Sequence, residues 1–325
     1  MRSLPTALLD AALDHAPWLV LCLLLAAFGL VDARIVAREN LWVVVQQATP
    51  IALLGLAVFW VLLTGEIDLS AGHSVTLSAV SMGTLLSSGV ALPAALGVGF
   101  ACCAVVGCVN GLLVAALRIP SFIATLASML LLQGATLIVA TTGTILVLDP
   151  RLRAFAGSAG AGVSPMVAFT AAVALGSWWL ARWTGFGLKT FALGSHPARA
   201  ELAGVRVQVQ KFGAFLLSSV YVFLAAAIII ARVPVVNPGV GGTGLLLDAI
   251  AAAVIGGTSL LGGRGTVGGV VCGALTMSLL TAALRVLGVE PSSLDLYKGA
   301  IIVLILLGDR GLHALRALAH GQRHG

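Results

Sequence analysis

Two carboxylates, Glu66 and Asp68, stand two residues apart in the stretch LLTGEIDLSAGHS at 62–74, between two long apolar runs. A third, Asp248, sits inside another apolar run. Only 9% of the chain is charged, so each acid needs a reason to be there. Intramembrane acids of this kind serve an ion or proton relay, line a water-filled path, or are held by a specific partner. Other chemistries find less support. The six histidines do not cluster, and no pair of the five cysteines has zinc-ligand spacing beside a histidine, so no metal site is expected. No nucleophile, base and orienter can be assembled from the sequence, so no catalytic residue is expected. GRGTVG at 263–268 matches G-x-G-x-x-G, but it joins two apolar segments where a dinucleotide site needs a strand and a helix. GFGLKT at 185–190 lacks the Gly-Lys pair of a P-loop, so this chain has no means of its own to hydrolyse ATP in that way.

The elements that position these residues follow from composition. The 325 residues are 59% hydrophobic, and the mean hydropathy is +1.09. A soluble domain is about a quarter charged. The solvent for most of this chain is therefore lipid, and the 39 glycines suit close helix–helix approach. The net charge of +6 lacks the basic, aromatic-interleaved patches of a nucleic-acid surface. Ten apolar segments are expected to be membrane helices: 17–32, 41–64, 73–88, 92–117, 121–142, 163–182, 212–231, 246–261, 267–288 and 294–308. Asp10 and Asp14 against Arg2 make a poor signal-peptide start, so the first run is read as a helix. The fold class is all-α, a polytopic membrane protein in a single domain, 1–325.

Orientation follows the Lys and Arg residues. The loop 183–211 carries Lys189, Arg199, Arg206 and Lys211 against Glu201, with Arg182 at its edge, and is placed in the cytoplasm. Both termini then fall on the same side. Arg34, Arg38, Arg151 and Arg153 lie on the far side, against the rule. LLVAALR at 112–118 recurs as LLTAALR at 279–285, and QGA at 133–135 is answered by KGA at 298–300. The two copies run in opposite directions through the membrane. Two inverted halves, about 41–142 and 212–308, are expected.

ALGSHPARAELAGVRV at 192–207 reads as a short helix capped by Ser195, with Pro197 early and Gly204 at its end. So short a helix is marginal alone and needs a partner.

Three stretches together resemble the ribose-type permeases of ATP-binding cassette importers. TGEIDLSAG at 64–72 is similar to T-G-G-I-D-L-S-V-G. GSHPARAELAGV at 194–205 is similar to G-x-N-x-x-A-A-x-x-x-G-[IV]. LDAIAAAVIGGTSLLGGRGTVGG at 247–269 is similar to L-D-A-I-A-A-V-V-L-G-G-T-S-L-x-G-G-x-G, and the likeness runs from about 40 to 309. Glu66 replaces the usual second glycine, Leu246 stands where a polar residue is common, and His196 replaces Asn.

The resemblance implies a permease subunit of the bacterial inner membrane that moves a small polar solute, a monosaccharide first. It implies a second permease subunit, a cytoplasmic ATPase carrying the ATP and Mg, and a periplasmic binding protein. This chain needs no cofactor. Gly194, Ser195, Pro197, Ala198, Ala200, Glu201 and Gly204 would form the coupling helix that seats in the ATPase. The candidate path residues are Glu66, Asp68, Ser70, Asn110, Gln133, Asp248 and Thr258. Asp68 or Ser70 is also placed to cap the helix starting near His73. Glu66 is expected to face the path. The alternatives are a solvated edge, or an ion pair with Arg118 or Arg264. Two rival functions stay open: import of a nucleoside, autoinducer or branched-chain amino acid, and ion-coupled secondary transport through Glu66, Asp68 and Asp248.

Overall fold

The computed structural model describes residues 16–140, 143–157, 163–304 and 307. In chain order its helices are α1 (Ala16–Val31), α2 (Arg38–Leu63), α3 (Ala71–Ser87), α4 (Leu92–Ala115), α5 (Ser121–Val139), α6 (Pro150–Ala156), α7 (Pro165–Trp183), α8 (Gly185–Ser195), α9 (Pro197–Leu202), α10 (Val207–Arg232), α11 (Gly242–Ile255) and α12 (Val267–Val286). Residues 294–304 are also helical, and all ten expected segments fall on helices. Five of these, α2, α4, α5, α10 and α12, are long and apolar enough to cross a membrane, and α1 and α11 are shorter apolar helices. The chain is a polytopic helical membrane protein.

The expected boundaries need correction in several places. α11 starts at Gly242, not 246, and stops at Ile255, not 261. The N–H groups of Gly257 and Thr258 turn back to the carbonyls of Val254 and Ala253 and end it. The loop 183–211 contains α8, a helix too short to register as a membrane span. The segment 143–162 holds α6, where Asp149 accepts the Arg151 N–H at 2.8 Å and Pro150 opens the first turn. The all-α expectation needs one amendment. Ile145–Leu146 (β1) pairs antiparallel with Val235–Val236 (β2), tying two loops at one end of the molecule.

α2 is the central helix. From Ala48 to Leu63 every side chain is buried. Pro50 interrupts its hydrogen bonding, because proline has no N–H to give the Gln46 carbonyl. Thr49 repairs the loss: its hydroxyl donates to that carbonyl at 2.8 Å. Farther along, Trp60 is fully buried, and its indole donates to the Ser177 hydroxyl on α7 at 3.1 Å.

The packing of the two halves is paired. α10 lies on α4 and α3 as α2 lies on α12 and α11; α3 lies on α4 as α11 lies on α12. α2 and α10 pack on each other and are both 26 residues long. They run in opposite directions. Lys211, near the start of α10, meets Glu66 just past the end of α2. Gln46 of α2 and Arg232 at the end of α10 line one cavity at the other end. The two sets of helices thus pack in a like fashion, with α2 and α10 antiparallel at their contact. α3 and α11 meet by their N-terminal turns. A Cβ on Gly72 would come within 2.2 Å of the Gly242 carbonyl oxygen, so no larger residue allows this crossing. The Gly242 N–H donates to Thr76 Oγ1 at 2.8 Å, and His73 Nε2 lies 3.3 Å from Thr243 Oγ1.

Candidate functional site

Between α2 and α3 the chain is not helical over 64–70, and its backbone groups need partners away from water. One face of α5 supplies them. Ser121 Oγ accepts the Ile67 N–H at 3.1 Å, and Thr125 Oγ1 accepts the Leu69 N–H at 3.1 Å and donates to the Ile67 carbonyl at 3.2 Å. Ser128, the next residue of that face, donates to Asn110 Oδ1 at 2.5 Å. The Asn110 amide donates to Ser70 Oγ at 2.8 Å, and Ser70 Oγ donates to Asp68 Oδ1 at 2.6 Å. The result is a chain of donors, Ser128 to Asn110 to Ser70, that ends on the Asp68 carboxylate. Asn110 and Ser70 are fully buried.

This geometry corrects two expectations. α3 begins at Ala71, two residues before His73, and Ser70 precedes it without capping it by its side chain. Asp68 instead accepts the N–H of Ser70 at 2.9 Å, closing a turn just ahead of the helix. Asp68, Ser70 and Asn110 hydrogen-bond one another in this structure. Gln133 is exposed on α5 and joins none of these contacts.

Glu66 lies at the edge of the same break, half-buried, in an ion pair with Lys211. Neither Arg118 nor Arg264 is its partner. Asp248 on α11 is held by Lys298, whose Nζ lies 3.0 and 3.2 Å from its two oxygens and 3.4 Å from Asp295. Thr258 is buried, and its hydroxyl has no hydrogen-bond partner. At the opposite end, Arg34 pairs with Asp32 at 2.6 Å and, chiefly through its side-chain hydrogen bond, holds that carboxyl below the usual range. That pairing neutralises one of the arginines expected on the far side, against the charge rule.

The segment 194–204 sits at the Glu66 end. Three strands of backbone converge there. The Gly263 N–H donates to the Leu63 carbonyl at 3.1 Å, and the Ser195 hydroxyl donates to the Gly263 carbonyl at 3.2 Å. A Cβ on Gly194 would lie 1.9 Å from the Leu63 oxygen, so this contact needs glycine. Ser195 is therefore the last residue of α8 and does not cap α9; His196 occupies the cap position without a side-chain bond. Pro197 opens α9 as expected. Gly204 closes it with φ +82°, and the N–H groups of Gly204 and Val205 bond the carbonyls of Glu201 and Ala200. Pro197, Ala198 and Glu201 are exposed, and Leu202 is 89% exposed. Ala200 is buried, so it faces the permease itself and not a partner.

The first turns of α10 fix this segment to the rest. Gln210 donates to the Phe186 carbonyl at 2.8 Å and to Thr190 Oγ1 at 2.6 Å on α8, while Lys211 next to it pairs with Glu66. α9 is thus joined through α8 and α10 to the break at 64–70. Lys211, Gln210 and Lys298 are not among the site residues expected from the sequence. Ser121, Thr125 and Ser128 are absent too, although their spacing of four and three residues marks one helical face.

These features define a membrane permease with a broken segment between α2 and α3 and an exposed helix at the same end. A family profile described as the permease component of branched-chain amino acid transport systems matches residues 40–306, and the chain belongs to that family. It is 33% identical over 311 residues to the ribose import permease protein RbsC of Escherichia coli strain K12, covering 91% of this chain and 94% of the relative. It is 32% identical over 291 residues to the autoinducer 2 import system permease protein LsrC of Salmonella typhi, covering 90% and 84%. No solved structure is a significant match.

Proposed function

We propose that this chain is the membrane subunit of an ATP-driven importer of a small polar solute, a monosaccharide before other cargo. The observation that carries the reading is the exposed helix α9, fixed through Gln210 and Lys211 to the 64–70 break. A protruding helix with an exposed leucine suits docking into a separate ATPase. On this reading ATP and Mg bind the ATPase, a periplasmic binding protein delivers the solute at the β1–β2 end, and a second permease subunit completes the channel. The membrane is the bacterial inner membrane, with both termini on the α9 side. The two halves then tilt as rigid bodies when the ATPase closes.

The printed names of the relatives support a sugar-like cargo, ribose or the autoinducer 2. The family description keeps a branched-chain amino acid as the second reading, and a nucleoside as a third. Ion-coupled transport through a carboxylate relay has less support. Glu66 and Asp248 are held by lysines, and Asp68 is held by Ser70, so no free acid pair is on hand. Uptake into proteoliposomes holding this chain with its ATPase and binding protein tests the reading. Uptake that proceeds without ATP overturns it. A thermal-shift screen of the binding protein against sugars, nucleosides and amino acids names the cargo.

A further inference from the structure

A crevice of about 430 Å³ opens between the end of α7, α8 and the start of α12, at the same end as α9. Phe59, Trp178, Leu188 and Phe191 make its apolar walls. Arg182 also lines it, is exposed, and has no ion-pair partner among the described residues. Opposite lies the start of α12, where Thr266 Oγ1 accepts the Gly269 N–H at 3.0 Å while the N–H groups of Val267 and Gly268 have no intrahelical acceptor and carry the positive end of the helix dipole.

Two further observations bear on what the crevice holds. Thr258 Oγ1, buried and without a partner, lies 2.9 Å from where a Cβ on Gly265 would sit, and Phe59 Cε2 lies 3.0 Å from the same point. Gly265 and Phe59 both line the crevice, and the Thr258 hydroxyl lies behind them. Trp178, Trp179 and Trp183 are 47%, 57% and 68% exposed on this turn of α7. Exposed indoles on a membrane helix mark the depth of the lipid headgroups.

The geometry points to a binding site for one anionic phospholipid of the surrounding leaflet. Its phosphate lies between the Arg182 guanidinium and the α12 N-terminus, and an acyl chain follows Phe59, Trp178 and Leu188. A soluble anion would gain nothing from the apolar walls, and a zwitterionic lipid would bring a cation toward Arg182. The bound lipid braces α8 and so bears on α9. None of this depends on which solute is carried.

Trp178 reports on the site directly. The full-length protein is placed in vesicles containing brominated phosphatidylglycerol or brominated phosphatidylcholine at equal mole fraction, and tryptophan quenching is measured. The difference between wild-type and Trp178→Phe curves isolates that one indole. The expected result is a preference for phosphatidylglycerol of about fivefold, the share of one arginine near an anionic lipid surface. Arg182→Gln abolishes the preference with unchanged melting temperature, and Arg182→Lys keeps most of it. Equal quenching by the two lipids overturns the assignment, as does a preference that survives Arg182→Gln. Inorganic phosphate added in excess does not change the curves; if it removes the preference, the site is for a free anion and the lipid assignment fails.

Discussion

Lys211, one turn into α10, forms an ion pair with Glu66 in the break between α2 and α3, and thereby ties the stem of the exposed helix α9 to the segment that joins α2 to α3. The two residues are 145 positions apart, one just past the end of α2 and the other near the start of α10. Both side chains are half-buried, so the pair is screened less than a surface bridge.

Breaking this pair is expected to impair coupling before it impairs folding. Glu66→Gln and Lys211→Met each lower uptake driven by ATP. In a double-mutant cycle on stability the two are coupled by roughly 1 kcal/mol, in the range for contacting charged groups. The exchanged pair, Glu66→Lys with Lys211→Glu, recovers uptake better than either single charge change. Additive effects in the cycle, with no recovery by the exchange, mean the pair is incidental.

The buried donor chain carries a larger penalty. Asn110→Leu strands the buried Ser128 hydroxyl and removes the donor to Ser70, whose own hydroxyl keeps its bond to Asp68. A stranded buried polar group costs about 1–3 kcal/mol. A clear fall in melting temperature is expected, and Ser128→Ala should give a smaller one. A melting temperature that Asn110→Leu leaves unmoved contradicts the view that this chain holds the 64–70 break.

Much of this is legible in the sequence, and the remainder has a physical pattern. Apolar runs report burial in lipid, so the ten helices stand out. α6 and α8, of seven and eleven residues, are too short to register as membrane spans, so they do not. Asp68, Ser70 and Asn110 are conspicuous as polar residues in an apolar setting, but polarity alone does not say whether such groups face water or one another. Glu66 needs a partner, and its side of the membrane points to Arg118 and Arg264. The antiparallel packing of α2 on α10 brings in Lys211 instead, a contact no local spacing encodes. The caps show the same limit: Gly204 acts through its own φ and is readable in advance, whereas the Ser195 hydroxyl reaches Gly263, 68 residues away.

The proline in α2 offers a self-contained test. Thr49→Val leaves the Gln46 carbonyl without its donor and is expected to cost about 1 kcal/mol, the usual worth of one such bond. Pro50→Ala returns a backbone N–H to that carbonyl. In the Pro50→Ala background Thr49→Val should therefore cost almost nothing. An equal cost in both backgrounds, by thermal or denaturant unfolding in detergent, shows that Thr49 acts through something else.

The two faces of α9 should respond oppositely to charge. Leu202 is exposed at 89%, while Ala200 is 5% exposed and packs on the permease. Leu202→Asp removes apolar surface that only a partner can cover, so it should abolish co-purification of the ATPase while leaving the melting temperature of the isolated chain in place. Ala200→Glu buries an unpaired charge, which costs several kcal/mol, and should destabilise the isolated chain itself. Side-specific labelling completes the test. A cysteine at Ala198 should react with an impermeant maleimide only from the ATPase side, and one at Ala154, exposed on α6, only from the other side. If Leu202→Asp retains the ATPase and Ala198 labels from the same side as Ala154, then α9 is not the coupling helix and does not lie across the membrane from α6.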